Sequence, residues 1–193
     1  MPAHAAEQMT SEAFLAWAEG REGRWEFVQG VPVAMAGAQE RHDQVVVNAL
    51  TSLRPQVRGT GCRVFTSDTA VVVPNGSVRR PDLGVDCGKR RPEALSASAP
   101  KLLIEVLSPS TRQIDQLIEL DEYRAIDTMT NILIVDPAIL QTALWSRVEG
   151  SWTSQVFEQI DDRISFGDLG LSITMAELYE DVSLPPRLVS SSA

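Results

Sequence analysis

The stretch KLLIEVLSPS, from Lys101 to Ser110, constrains this chain most, because it sets one carboxylate, Glu105, inside an otherwise apolar run. Leu102, Leu103, Ile104, Val106 and Leu107 put apolar side chains on both sides of an extended segment, the pattern of a central strand covered on both faces. An ionised Glu there costs several kcal/mol unless a cation or a hydrogen-bonding group compensates it. Pro81-Asp82 opens a second expected strand, PDLGVDC, whose alternation places Leu83, Val85 and Cys87 on one face and Asp82, Gly84 and Asp86 on the other. Two carboxylates on neighbouring strands repel each other unless something positive sits between them. A divalent metal is the simplest candidate. The competing readings are a strand-start role for Asp82 after proline, and for Glu105 a buried ion pair with an arginine such as Arg63 or Arg112.

Around these strands the periodicity predicts a helix over Thr10 to Glu19, a strand over Trp25 to Ala34 interrupted at Gly30 and Pro32, and a longer helix over Gln39 to Val57. Arg63 to Val73 reads as a bent strand or hairpin half that ends at the turn Pro74-Asn75-Gly76. Ser108-Pro109-Ser110-Thr111 closes the Glu105 strand and offers caps to a helix over Arg112 to Ile126, with Ile114, Leu117 and Ile118 on its apolar face. Ile132 to Val135 is a short apolar strand, and its place after a helix predicts parallel pairing. Thr142 to Arg147 and Trp152 to Glu158 form an expected hairpin around Glu149-Gly150. Ile164 to Phe166 adds a short strand, Thr174 caps a last helix through Tyr179, and Leu184 to Ala193 reads as a frayed tail.

The ordered set of motifs resembles the PD-(D/E)XK nuclease superfamily and, within it, the Uma-two family of restriction-endonuclease-like proteins. The resemblance covers nearly the whole chain: the segment WEFVQGVPVAMAG from Trp25 to Gly37, His42 at the head of a helix, Pro81-Asp82, Glu105 to Thr111, Asp115 and Tyr123 on the following helix, and ILIVDP from Ile132 to Pro137. It implies an α/β (α+β) restriction-endonuclease-like fold, a central mixed sheet flanked by helices in an αβββαβ core with additions at both ends. One domain over residues 1–193 is expected, its ordered core spanning about 10–183. By the same resemblance Asp82 and Glu105 are the ligands of magnesium or manganese, with the backbone carbonyl of Val106 a third. Hard oxygen donors suit both ions. Glu26, on the first strand, is expected at the metal directly or through water, with a surface role beside Trp25 as the alternative. His42 is expected to touch phosphate or position Glu26, or else to cap or pack; Ser108 is expected to hydrogen-bond a metal-bound water or a phosphate.

The resemblance also expects a lysine that orients the attacking water. Two residues after Glu105 stands Leu107, and four residues after Asp115 stands Glu119. The chain has two lysines. Lys101 lies four residues before Glu105, roughly 13 Å away along a strand; Lys89 follows the Asp82 strand in a loop. Asp115, Glu119 and Tyr123 recur every four residues on one helical face. Glu119 is therefore either a base or extra ligand facing the metal, or a solvent charge on a degenerate enzyme.

Composition limits the alternatives. At 193 residues, 21.1 kDa and 44% hydrophobic, the chain can bury one real core. It has no apolar run of membrane-spanning length and no signal-peptide pattern at Met1 to Met9, so a cytoplasmic location is expected. Cys62 and Cys87 are too few and too far apart for a disulfide framework or a zinc ribbon and read as small core residues. With only His4 and His42, a histidine-based metal site is disfavoured. There is no G-x-S-x-G and no glycine-rich phosphate loop. A net charge of −9 argues against strong non-specific nucleic-acid binding. Arg79, Arg80, Lys89, Arg90 and Arg91 nevertheless bracket Asp82 and form either a phosphate-contacting rim or a set of solvated loop charges. The leading expectation is a metal-dependent endonuclease acting on DNA as a homodimer. The alternatives are a catalytically degenerate nuclease-fold protein that binds nucleic acid or a protein partner, and a structural or regulatory partner that no longer binds nucleic acid.

Overall fold

The structure is a computed structural model that describes residues 9–108 and 115–184, with 115 and 116 described by their backbone alone. Expectations for His4, for the caps at 109–111, for Arg112 and Ile114, and for the tail beyond 184 fall outside the described residues.

Helix α1 (Ser11–Glu19) starts where Thr10 accepts a hydrogen bond from the Ala13 amide, and it buries Phe14 and Ala18. The expected strand over Trp25 to Ala34 is two strands, β1 (Trp25–Val28) and β2 (Val31–Ala34), paired antiparallel. Gln29 and Gly30 both take positive φ, the turn whose twist suits a two-residue hairpin. Helix α2 (Glu40–Gln56) buries Val45, Ala49 and Leu53 at helical spacing. The stretch expected as one bent strand instead supplies β3 (Arg63–Thr66) to one sheet and β4 (Val71–Val72) to another. There follow β5 (Val78–Arg79), β6 (Leu83–Asp86), β7 (Pro100–Val106), α3 (Asp115–Arg124) and β8 (Asn131–Asp136). The hairpin β9 (Gln141–Val148) and β10 (Ser151–Phe157), the pair β11 (Arg163–Phe166) and β12 (Leu171–Thr174), and α4 (Met175–Leu178) complete the order. Strand β12 gave no recognisable signal: LSIT runs directly into the capping box Thr174–Glu177, and the helix start masked it.

The central sheet has six strands in the order β10-β9-β8-β7-β6-β3, parallel only between β7 and β8 and antiparallel elsewhere. A four-stranded sheet, β2-β1-β5-β4, stands beside it. Alternation along β7 divides the interior. Leu102, Ile104 and Val106 join the core made with α2, α4 and the β11–β12 pair, while Leu103 joins a second core with Phe65, Leu120, Tyr123 and Ile132. Asn48 fastens α2 to the C-terminal end, donating to the carbonyls of Leu178 and Glu180.

Two features at β6 correct or extend the sequence reading. Cys62 and Cys87 are not separate core residues but a disulfide. Strand β3 pairs Arg63 with Asp86, so extending that register by one residue sets the two cysteines opposite each other despite 25 positions of sequence. Asp86, given a face but no role from the sequence, is buried and accepts hydrogen bonds from the amides of Gly88, Ser98 and Ala99. Burial alone would raise its pKa, but those amides and the Arg63 guanidinium hold it below the ordinary carboxylate value. Arg63 is thus the partner of Asp86, not of Glu105.

Candidate active site

The β6–β7 register pairs Leu83 with Ile104, and one step outward the same register sets Asp82 opposite Glu105. Their contacts differ: Asp82 meets His42 of α2, and Glu105 meets Tyr123 of α3. Asp82 closes the corner: its Oδ2 accepts from the Val106 amide at 2.8 Å and lies 3.2 Å from His42 Nε2. His42 sits in the first turn of α2, reaches Asp82 with its side chain only 12% exposed, and also bonds the Val106 backbone. Burial works against an imidazolium there, but the hydrogen bond and charge of Asp82 and the Val106 carbonyl outweigh it and raise the His42 pKa. The main-chain carbonyl expected as a metal ligand therefore faces a histidine, and the capping role considered for His42 is absent.

Glu105 meets α3. The Tyr123 hydroxyl lies 2.7 Å from Glu105 Oε1 and 2.9 Å from Glu119 Oε1. Glu119 thus faces Tyr123 and Glu105 rather than solvent. A phenol carries one hydrogen, so when it donates to one carboxylate the other carboxyl must hold a proton and donate to the phenol oxygen. The electrostatics agree. Burial, then the charges of Glu119 and Asp82, push Glu105 well above the ordinary carboxylate value. Burial and the charge of Glu26 push Glu119 up to about 7, against the pull of Arg79 and Tyr123. Burial and the two glutamates likewise raise the Tyr123 phenol.

Glu26 enters from the small sheet. Strand β1 pairs Phe27 with Val78, so the next pair outward is Glu26 with Arg79. Glu26 accepts from Arg79 Nη1 at 3.1 Å and from the Arg80 amide at 2.8 Å, an inward position that replaces the surface role considered for it. Arg79 is 5% exposed and also donates to Glu122 Oε2 at 2.6 Å, while Asn75 of the predicted turn donates to Glu122 Oε1 at 2.8 Å. Glu122, Asn75 and the inward Arg79 were missed in the sequence. Their only signal was a second carboxylate, Glu122, three residues after Glu119 on the same helix.

The basic residues do not gather into a phosphate rim. Arg79 is buried, and Arg80 donates to the carbonyls of Trp25, Ser67 and Asp68. Lys89, Arg90 and Arg91 are exposed and follow the end of β6 opposite Asp82. Ser108 lines a cleft of 240 Å³ with Gln39, Arg41, His42, Leu107, Pro137 and Ala138. The side chain of Asp115 lies outside the described set. Among the described residues no group of three or more His, Cys, Asp or Glu side chains stands ready as a metal cage. The carboxyls sense one another's charge, but their oxygens are engaged by Val106, His42, Tyr123, Arg79 and Arg80. No helix among the described residues is long and apolar enough to cross a membrane.

A family model described as "Putative restriction endonuclease", Uma2, matches residues 11–176. The chain belongs to the Uma2 family. Two proteins of Synechocystis, slr1290 and sll1609, both described as uncharacterized, are similar to it. The first is 26% identical over 91% of this chain and 94% of its own length, and the second is 25% identical over 66% and 75%. A crystal structure of a putative nuclease from Anabaena variabilis superposes with a TM-score of 0.69 at 17% identity, covering 88% of this chain and 97% of that one. The mixed α+β architecture around a six-stranded sheet is therefore that of a solved Uma2-type fold.

Proposed function

We propose that this Uma2 protein is a metal-dependent endonuclease that hydrolyses DNA phosphodiester bonds, with Asp82, Glu105 and Glu119 as its catalytic residues and the αβββαβ core as its scaffold. One observation carries the reading: Glu105 and Glu119 share the Tyr123 hydroxyl, and both sense the negative charges of Asp82 and Glu26. Carboxylates are hard oxygen donors of the kind that suit a divalent cation. Asp82 and Glu105, with the Val106 carbonyl, would hold magnesium or manganese. When bound, such an ion activates water and stabilises charge on a transferring phosphoryl group. Glu119, poised at about 7, accepts a proton at neutral pH, as a general base requires. Tyr123 fixes Glu105 and Glu119 relative to each other, and His42 fixes Asp82. Two cuts in a duplex give a homodimer a mechanistic use.

The test pairs calorimetry with cleavage. Wild-type protein should bind manganese and nick supercoiled plasmid in magnesium or manganese but not in EDTA, and Asp82→Ala and Glu105→Ala should each lose both properties. Full metal affinity in either variant would remove the site. Folded wild type that neither binds metal nor cleaves favours the catalytically degenerate reading, which the internal use of Arg79 and Arg80 also favours.

A further inference from the structure

We propose that Arg79 is the positioning cation of this site, supplying from β5 the positive charge that its buried carboxylates need. This rests on the endonuclease reading for its catalytic consequence, though not for its physical basis. Five carboxyl groups, those of Glu26, Asp82, Glu105, Glu119 and Glu122, gather around β6, β7 and α3; among the described residues His42 and Arg79 pair with them directly, and Arg80 also senses Glu26. His42 serves Asp82. Arg79 touches Glu26 and Glu122 directly and draws its largest favourable charge interaction from Glu119.

Its placement is built rather than incidental. Arg79 is fixed from three directions: the β1–β5 register sets it across from Glu26, Glu122 accepts from its Nε, and Asn75 anchors Glu122 from the turn before β5. Lysine and arginine are not equivalent in such a place. A planar guanidinium can bind two carboxylates at fixed angles, whereas an ammonium is a single point of charge. A lysine on α3 would be a second cation beside a guanidinium already held by Glu26 and Glu122, whereas a glutamate there can share that charge. Arg79 is 5% exposed and so acts through Glu26 and Glu119, not on the substrate.

A double-mutant thermal cycle in EDTA at pH 8 tests this without metal or DNA. Glu119→Gln should raise the melting temperature of wild type, and should raise that of Arg79→Met by several degrees more, because the carboxylate it removes has by then lost its cation. Arg79→Lys, which keeps the charge, should show a gain close to that in wild type. Equal gains in the wild-type and Arg79→Met backgrounds would overturn the proposal and leave Arg79 a structural partner of Glu26 and Glu122. In the cleavage assay, Arg79→Met should lower kcat on the order of tenfold, short of what a donor aimed at the reacting group costs, and should change KM for DNA by less than about twofold. A raised KM with unchanged kcat would make Arg79 a phosphate contact and also overturn it. If wild type neither binds manganese nor cleaves, the endonuclease reading falls while the thermal cycle still decides the role of Arg79.

Discussion

Glu119→Gln should make the metal-free protein more stable, and by an amount that grows with pH. Glu105, Tyr123 and Glu119 form a chain in which one phenolic hydrogen serves two carboxyls, so the folded protein retains a proton that the unfolded chain would release. Burial and Glu26 move Glu119 from an ordinary 4.5 to about 7. Between those values the folded state binds more protons than the unfolded state, so stability falls as pH rises through the window and the loss is complete above it. At roughly 1.4 kcal/mol per pH unit the loss is at most about 3.5 kcal/mol, or roughly 7 to 14 °C for a domain of this size. A glutamine removes it, since its amide can donate to the phenol oxygen as the protonated carboxyl does, leaving Tyr123 to donate to Glu105. Urea melts of both proteins in EDTA from pH 4.5 to 8 check this. The variant should match wild type at the acid end and exceed it progressively toward pH 8; the two titrations interact, so the rise should be broad. Curves that run parallel across the range would refute the shared proton.

Two further perturbations address the scaffold. Reduction, or the double change Cys62→Ala with Cys87→Ala, should cost about 3 to 4 kcal/mol on a chain-entropy argument for a closure of 25 residues; two thiols titrating freely in the native, non-reduced protein would refute the bond. Gly84→Ala should cost roughly 1 to 3 kcal/mol, because the new methyl would stand 2.3 Å from the Phe65 ring, and the cost should shrink in a Phe65→Leu background; an undiminished cost would place the strain elsewhere.

Much of the site was legible because strand alternation is a local rule. Asp82 and Glu105 could be placed on exposed or buried positions of their strands from sequence alone, and the four-residue spacing put Glu119 beside Tyr123. What could not be read was pairing between distant segments. Arg79 looked like half of a basic rim because Arg80, Lys89, Arg90 and Arg91 follow it closely in sequence. Its direction is set by a register with β1, fifty positions away in the chain, and nothing local encodes that. Cys62 and Cys87 were separated for the same reason. The role of Asp86 was overlooked because its partners are amides of a loop, which any residue type can supply.

The Cys62–Cys87 bond makes a covalent ring of the chain from β3 to β6. Arg79 and Asp82 lie inside the ring; Glu26, Glu105, Glu119 and Tyr123 lie outside it. A protease that nicks the turn at Asp68, whose side chain is 85% exposed, would therefore release nothing: the pieces before and after the cut stay joined through sulfur and migrate as one species until a reductant separates them. The protein can thus be cut between two of its sheets and still present the same carboxylates to one another, held by a bond that only the redox state of its surroundings can open.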